Sequence, residues 1–261
     1  MAATDASGKR DRNEAGKSSQ PGERDSTLVA WEDLPRLIRE FADIGPQDRM
    51  LDVPCSDGAL AFEMAPVCGY VVGADVSEAM IAAAVIRAVE EGVDNVSFQV
   101  GMAGHLEFAD GTFDRVICWD GLHHFADPVA VIRELARVLR SPGYLIVVDI
   151  DPSEDRVWRE THNRIERSRD SSHAGLHTRT QVRSFLADCG MTVEREATWQ
   201  VRRPFELWMA SVDPDEGTLE RTRRMLTDAS RKRSAGLEIS VRGRSVELVH
   251  HLAAWVAIKL A

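Results

Sequence analysis

The chain has little of what would place it in several broad classes. Its 261 residues include four cysteines (Cys55, Cys68, Cys118 and Cys189), scattered, with no C-x-x-C pair. That excludes a disulfide framework or zinc-type spacing and reads as buried thiols in a reducing compartment. No apolar run approaches the ~20 residues that span a bilayer, and the N-terminus carries no signal-peptide core. Both point to a cytoplasmic protein. Bases are outnumbered, 32 Lys and Arg against 42 Asp and Glu, for a net charge of −10. An acidic balance argues against a nucleic-acid partner and for a small-molecule substrate. Neither a G-x-G-x-x-G nor a G-x-x-x-x-G-K-[ST] run marks a dinucleotide or P-loop site.

The apolar content, 44% of residues, is enough for a full core in one α/β domain with a small elaboration. Residues 1–26 are Ser-, Gly- and charge-rich and read as a disordered tail. Trp31, Leu34, Ile38 and Phe41 recur at helical spacing. From Met50 onward, apolar strands (50–53, 70–74, 96–99, 114–119, 144–149) alternate with helices. Ser77 opens one helix that ends at Gly92, and Asp127-Pro128 opens another. Near-continuous apolar strands between helices imply a parallel sheet covered on both faces. After Asp149 the alternation breaks. A charged helix over 152–170, a helix from Thr180 to Cys189, a strand from Met191 to Ala197, a helix over 215–233, a hairpin at Arg242-Gly243 and a last strand over 252–260 are expected.

The segment Met50-Leu51-Asp52-Val53-Pro54-Cys55-Ser56-Asp57-Gly58 reads as a strand, a turn of small residues and the start of a helix. A second strand, Tyr70 to Ala74, ends in Asp75. Such a turn lets a ligand reach backbone N–H groups and a helix N-terminus, and an acid at the next strand's tip can accept from both ribose hydroxyls. The pair forms a nucleoside-binding device. Pro54 and Ser56 stand where such loops normally carry glycine.

These motifs, with Val72 to Met80, Gly101-Met102-Ala103-Gly104, Leu106 to Asp114, Leu122-His123-His124-Phe125-Ala126-Asp127-Pro128, Arg137 to Gly143 and the loop Arg169 to His173, carry a resemblance. Over about residues 48–200 the chain resembles the class I S-adenosylmethionine-dependent methyltransferases, in the branch of ubiquinone/menaquinone-type and other small-molecule enzymes. The resemblance implies a doubly wound, Rossmann-like α/β sheet of about seven mostly parallel strands. It implies a single domain over 27–261 with lid segments at about 152–180 and 200–248. It also implies S-adenosylmethionine as cofactor, a small-molecule methyl acceptor and no metal. Asp52, Pro54, Ser56 and Gly58 would face the methionine part and Asp75 the ribose. Val76 and Met80 would pack near the adenine, and Met102 and Ala103 would sit at its edge. Met102 replaces the family's usual acid. Cys118, Trp119 and Asp120 would lie beside the sulfonium and the substrate.

Methyl transfer needs in-line positioning, and a base helps where the acceptor is a hydroxyl or an acidic carbon. His123, His124, Asp120 and His173 have suitable chemistry. For His123-His124 a structural role in the loop is the competing reading, and for His173 a surface position. His250-His251 read as structural residues before the last strand. A different reaction on the same fold, a cyclisation or rearrangement, is one alternative. A non-catalytic cofactor-binding protein is the other.

Overall fold

The computed structural model describes residues 28–260, so the tail expected over 1–26 lies outside the described residues. In chain order the elements are β1 (Leu28–Ala30), α1 (Leu34–Ala42), β2 (Arg49–Asp52), α2 (Ala59–Met64), β3 (Tyr70–Asp75), α3 (Glu78–Glu91), β4 (Val96–Val100) and β5 (Phe113–Trp119). Then come α4 (Pro128–Val138), β6 (Leu139–Ile150), α5 (Arg156–Arg169), α6 (Arg179–Asp188), β7 (Met191–Pro204), α7 (Phe205–Ala210), α8 (Glu216–Lys232), β8 (Glu238–Arg242) and β9 (Ser245–Lys259). Local chemistry sets the helix starts. The Ser77 hydroxyl accepts from the Met80 N–H, Asp127 accepts from Ala130 with Pro128 in the first turn, and Thr178 and Gln181 form a reciprocal capping box.

The strands form one sheet in the order β1-β7-β9-β6-β5-β2-β3-β4, with β8 added along β9. The pairs β5–β2, β2–β3, β3–β4 and β5–β6 are parallel, and β9 runs antiparallel between β6 and β7. Alternate side chains on each strand go to opposite faces. Leu51, Val116 and Leu145 pack with Ile132 and Leu135 of α4 and Val182 and Leu186 of α6. Their neighbours Met50, Ile117 and Ile146 pack with Ile38 of α1 and Leu60 of α2 on the other side. The strand order reverses between β2 and β5, and the crevice beyond the carboxyl ends of these strands is where doubly wound folds bind ligands.

Two expectations change here. The final hairpin strand and the last strand are a single element: β9 has no glycine or proline to interrupt it and is hydrogen-bonded to β7 from Lys259 back to Glu247. Residues 200–204, expected to open a lid, are the end of β7, which stays paired until Pro204, where α7 starts. The sheet therefore has β1 and β8 beyond the seven strands expected. Above it, Ile165 of α5, Phe205 and Trp208 of α7, and Leu226 of α8 bury one another against Val246 and Leu248 in a separate small core. Among the described residues no helix is long and apolar enough to cross a membrane.

Candidate active site

On the β2–β4 side the crevice is built from backbone and one acid. The turn after β2 bends back so that the Ser56 N–H donates to Asp75 Oδ2 at 2.9 Å, while the Ser77 N–H donates to Asp75 Oδ1 at 2.9 Å. Asp75 is thereby fixed between the turn and the start of α3. Ser56 does adopt the left-handed conformation that favours glycine, with φ of 50°; a non-glycine residue costs about 1–2 kcal/mol there. Its hydrogen bond to Asp75 offsets part of that cost. Gly58 also has positive φ, and a Cβ on it would lie 2.7 Å from the Phe98 ring. Asp52, at the tip of β2, is buried, and its Oδ2 has no hydrogen-bond partner. Burial, helped by the Asp75 charge, holds its carboxyl well above the usual range.

Just beyond Asp75, Val76, Met80 and Met102 are exposed by 67%, 41% and 58%, an apolar shelf at the ends of β3 and β4. Large exposed apolar side chains grouped beside a fixed acid are suited to the flat base and ribose of a nucleoside. The orphaned Asp52 oxygen, the backbone-lined turn and this shelf fit S-adenosylmethionine. Ala103 and Cys118 are buried, in the same core cluster as Leu122 and Val131.

Pro54 is accommodated by a residue the sequence reading passed over. A Cβ on Gly121 would sit 2.4 Å from Pro54 Cδ, so the turn after β2 and the turn after β5 meet only because position 121 has no side chain. Asp120 beside it has φ of 50°, a second non-glycine residue in the left-handed region at the crevice. Its Oδ2 lies 3.5 Å from Arg203 Nη2, and the buried Arg203 guanidinium stacks on Trp31 with 3.3 Å from Cζ to the ring centre. Trp31 packs in turn on half-buried Trp119, with 5.3 Å between ring centroids.

The β5–β6 side is built from buried titratable groups in pairs. His123, in the turn Leu122–His124, is buried, and its Nδ1 lies 2.6 Å from Asp149 Oδ1 at the end of β6. The His123 N–H donates to Asp149 Oδ2 at 3.0 Å, and the Ile150 N–H donates to Asp149 Oδ1 at 2.6 Å. Burial opposes charge on both groups. Their mutual attraction and hydrogen bonding prevail, raising His123 to about 9 and holding Asp149 below its ordinary value. Asp149 was not anticipated from sequence. Only the β5–β6 pairing, Trp119 against Val148, brings it level with the turn that carries His123.

His124 is half-buried, and its Nδ1 is 2.9 Å from the Ser172 hydroxyl, which donates to Asp170 Oδ1 at 2.6 Å. With its proton directed to Asp170, Ser172 accepts from His124 Nδ1–H, leaving the lone pair on Nε2. Burial and the neighbouring His123 charge lower the His124 pKa. His173 is buried rather than on the surface. Its Nε2 pairs with Asn163 Oδ1 at 2.9 Å, its ring is 5.4 Å from that of His123, and burial lowers its pKa to about 4. The N–H groups of Ala174 and Gly175 both donate to the His123 carbonyl, fastening this loop to the site. All four candidate polar groups thus come to one end of the sheet, while His250, expected ahead of the last strand, lies within β9.

Comparison with known proteins agrees with this geometry. Residues 44–198 match the family model described as "Methyltransferase domain". The chain is 32% identical over 187 residues to the "Uncharacterized methyltransferase YcgJ" of Bacillus subtilis, covering 71% of this chain and 74% of that one. The crystal structure of YcgJ superposes with a TM-score of 0.80 at 26% identity, over 87% of this chain and 98% of the other. The "27-O-demethylrifamycin SV methyltransferase" of Amycolatopsis mediterranei is 36% identical over 130 residues, and the chain spans about half its length, 48% of each. The chain belongs to the methyltransferase-domain family, and its activity is the S-adenosylmethionine-dependent transfer of a methyl group to a small molecule.

Proposed function

We propose that the chain methylates a hydroxyl group on a mostly apolar acceptor, an aromatic, quinone-like or other secondary metabolite, with His123 as general base held by Asp149. The observation that carries this reading is the buried His123–Asp149 pair at 2.6 Å. A carboxylate on Nδ1 fixes the tautomer and directs Nε2 at the proton to be removed, the arrangement of a general-base dyad. The rifamycin relative, named for an O-demethyl acceptor, supports oxygen as the methylated atom. The net charge of −10 supports an enzyme without a nucleic-acid partner.

Bound S-adenosylmethionine supplies an electrophilic methyl group on a sulfonium. The turn of Asp52, Pro54, Ser56 and Gly58 would face the methionine end, Asp75 would accept from the ribose, and Val76, Met80 and Met102 would flank the adenine. Trp119 and Asp120 border the reaction centre, with Asp120 oriented by Arg203. The segments 152–180 and 205–248 cover the acceptor and exclude water, their small core around Phe205 and Trp208 keeping them together.

A second reading follows from the Asp170–Ser172–His124 chain, which leaves His124 neutral with a free Nε2 lone pair. The pH dependence of kcat/KM separates the two, because it reports the base in the free enzyme. With His123 as base the rate rises with pH towards an inflection near its raised value of about 9. Removing the Asp149 charge (Asp149→Asn) withdraws the group that favours the imidazolium. The inflection then moves down towards or below pH 6.5, with a lower plateau. An inflection below 6.5 in the wild type, abolished by His124→Ala, would transfer the role to His124.

A further inference from the structure

A second cluster of ionisable groups lies outside this site. His162 and Glu166 are four apart on α5 and so share one face. His250 reaches them from β9, 84 residues from Glu166 in sequence. All three side chains are at most 1% exposed. Glu166 Oε1 lies 3.4 Å from His162 Nε2 and 3.4 Å from His250 Nε2, and the three donor atoms lie within 4.8 Å of one another. Arg169 holds the other carboxylate oxygen, Oε2, at 3.3 Å.

Hydrogen bonding alone accounts poorly for this cluster. A charge-assisted N–H···O bond has its heavy atoms about 2.7–2.9 Å apart, and both contacts here are longer. The His162 contact does not meet hydrogen-bond geometry at all. His162 Nε2, inside the cluster, is buried with no hydrogen-bond partner. A buried ring nitrogen in that state is costly. The distances match another arrangement. Ligands about 2.0–2.1 Å from a tetrahedral ion lie about 3.3–3.4 Å from one another. Both histidine nitrogens stand at that distance from Oε1.

We propose that His162, Glu166 and His250 form a binding site for a first-row divalent transition ion, with Zn2+ the best fit to two imidazoles and one carboxylate. Arg169 is the outer partner that turns Oε1 towards the ion. The fourth position is left to water. The ion ties α5 to β9, joining the small upper core to the main sheet. The scattered cysteines gave no reason to expect a metal, because this donor set contains none.

The test uses the full chain, stripped with a chelator and titrated with Co2+, then with Zn2+. One equivalent of Co2+ with the intense visible bands of a tetrahedral centre, displaced by Zn2+, is expected. Glu166→Gln and His250→Gln should each weaken Co2+ binding by about 100-fold or more. Zn2+ at a hundred times its Kd should raise the wild-type Tm by about 5 °C. Asp120, His123 and Asp149 also have donor atoms close together. Asp149→Asn therefore serves as the control and should leave the Co2+ spectrum unchanged. Because the substitutions are buried, zinc-edge anomalous diffraction from wild-type crystals grown with Zn2+ gives a reading that needs no variant. An anomalous peak between His162, Glu166 and His250 supports the site. No bound Co2+, binding abolished only by Asp149→Asn, or a peak only at Asp120–His123–Asp149 overturns it. None of these readouts depends on methyl transfer.

Discussion

The two halves of the crevice solve opposite problems. On the proposed reading the β2–β4 half meets the cofactor with a tight turn, one acid and an exposed apolar shelf, and its parts lie within single loops or neighbouring strand ends. On the same reading the β5–β6 half meets the acceptor with buried and half-buried histidines and carboxylates whose partners are remote in sequence: 26 residues separate His123 from Asp149, 48 separate His124 from Ser172, and 83 separate Asp120 from Arg203. A common cofactor can be recognised by shape and backbone. The acceptor's proton needs charge placed in a dry setting, where each group is tuned by its neighbours. Affinity is therefore expected to reside on one side and rate on the other.

Substitutions can break that division. The largest effect is expected from His123→Ala, a fall in kcat of about 10²–10⁴-fold with the S-adenosylmethionine Kd unchanged by calorimetry. A matching loss of cofactor affinity would show that the halves are not separate. Asp75→Ala should do the reverse. It releases both the Ser56 and Ser77 N–H groups together with the ribose contact, and a Kd raised by about 100-fold is expected from losing such charged hydrogen bonds.

Gly121→Ala tests the seam between the halves. Its new Cβ would sit 2.4 Å from Pro54 Cδ, and overpacking of this kind costs about 1–3 kcal/mol. A lower Tm is expected, and Pro54→Ala in the same chain should recover part of it; a Tm equal to the wild type would mean the two turns are not pressed together. The smallest effect is on the shelf. Met102→Asp restores an acceptor for the adenine amino group, and one added hydrogen bond of about 1 kcal/mol tightens the cofactor roughly fivefold. No tightening would place Met102 away from that edge.

The same contrast governs what could be read before folding. The first five strands of the alternating region, the capped helices and the Asp75 site were legible because each is written in one continuous stretch with its own periodicity or cap. Ser56 and Asp75 could be linked from sequence because a strand–turn–helix–strand unit has a nearly fixed span. Asp149 could not, since it looks like the polar end of an apolar strand until β6 pairs with β5. Arg203 and Gly121 carry no local signature either. One matters for the carboxylate it meets and the other for the ring it makes room for.

The long strand β9 has a consequence for how this protein can diversify. Its start, Ser245 to Val249, pairs with β8 and Leu252 to Lys259 pairs with β6, while β7 runs along its other edge from Glu247 to Lys259. It is one spar shared by roof and foundation. A lineage that reshapes its acceptor pocket by altering this hairpin would disturb the register of the main sheet. The stretch 205–237, held between the ends of β7 and β8, adds no strand to the sheet, but its Phe205, Trp208 and Leu226 pack on Val246 and Leu248. Changes confined to its exposed side chains can reshape the roof without moving the register of the main sheet or the cofactor half.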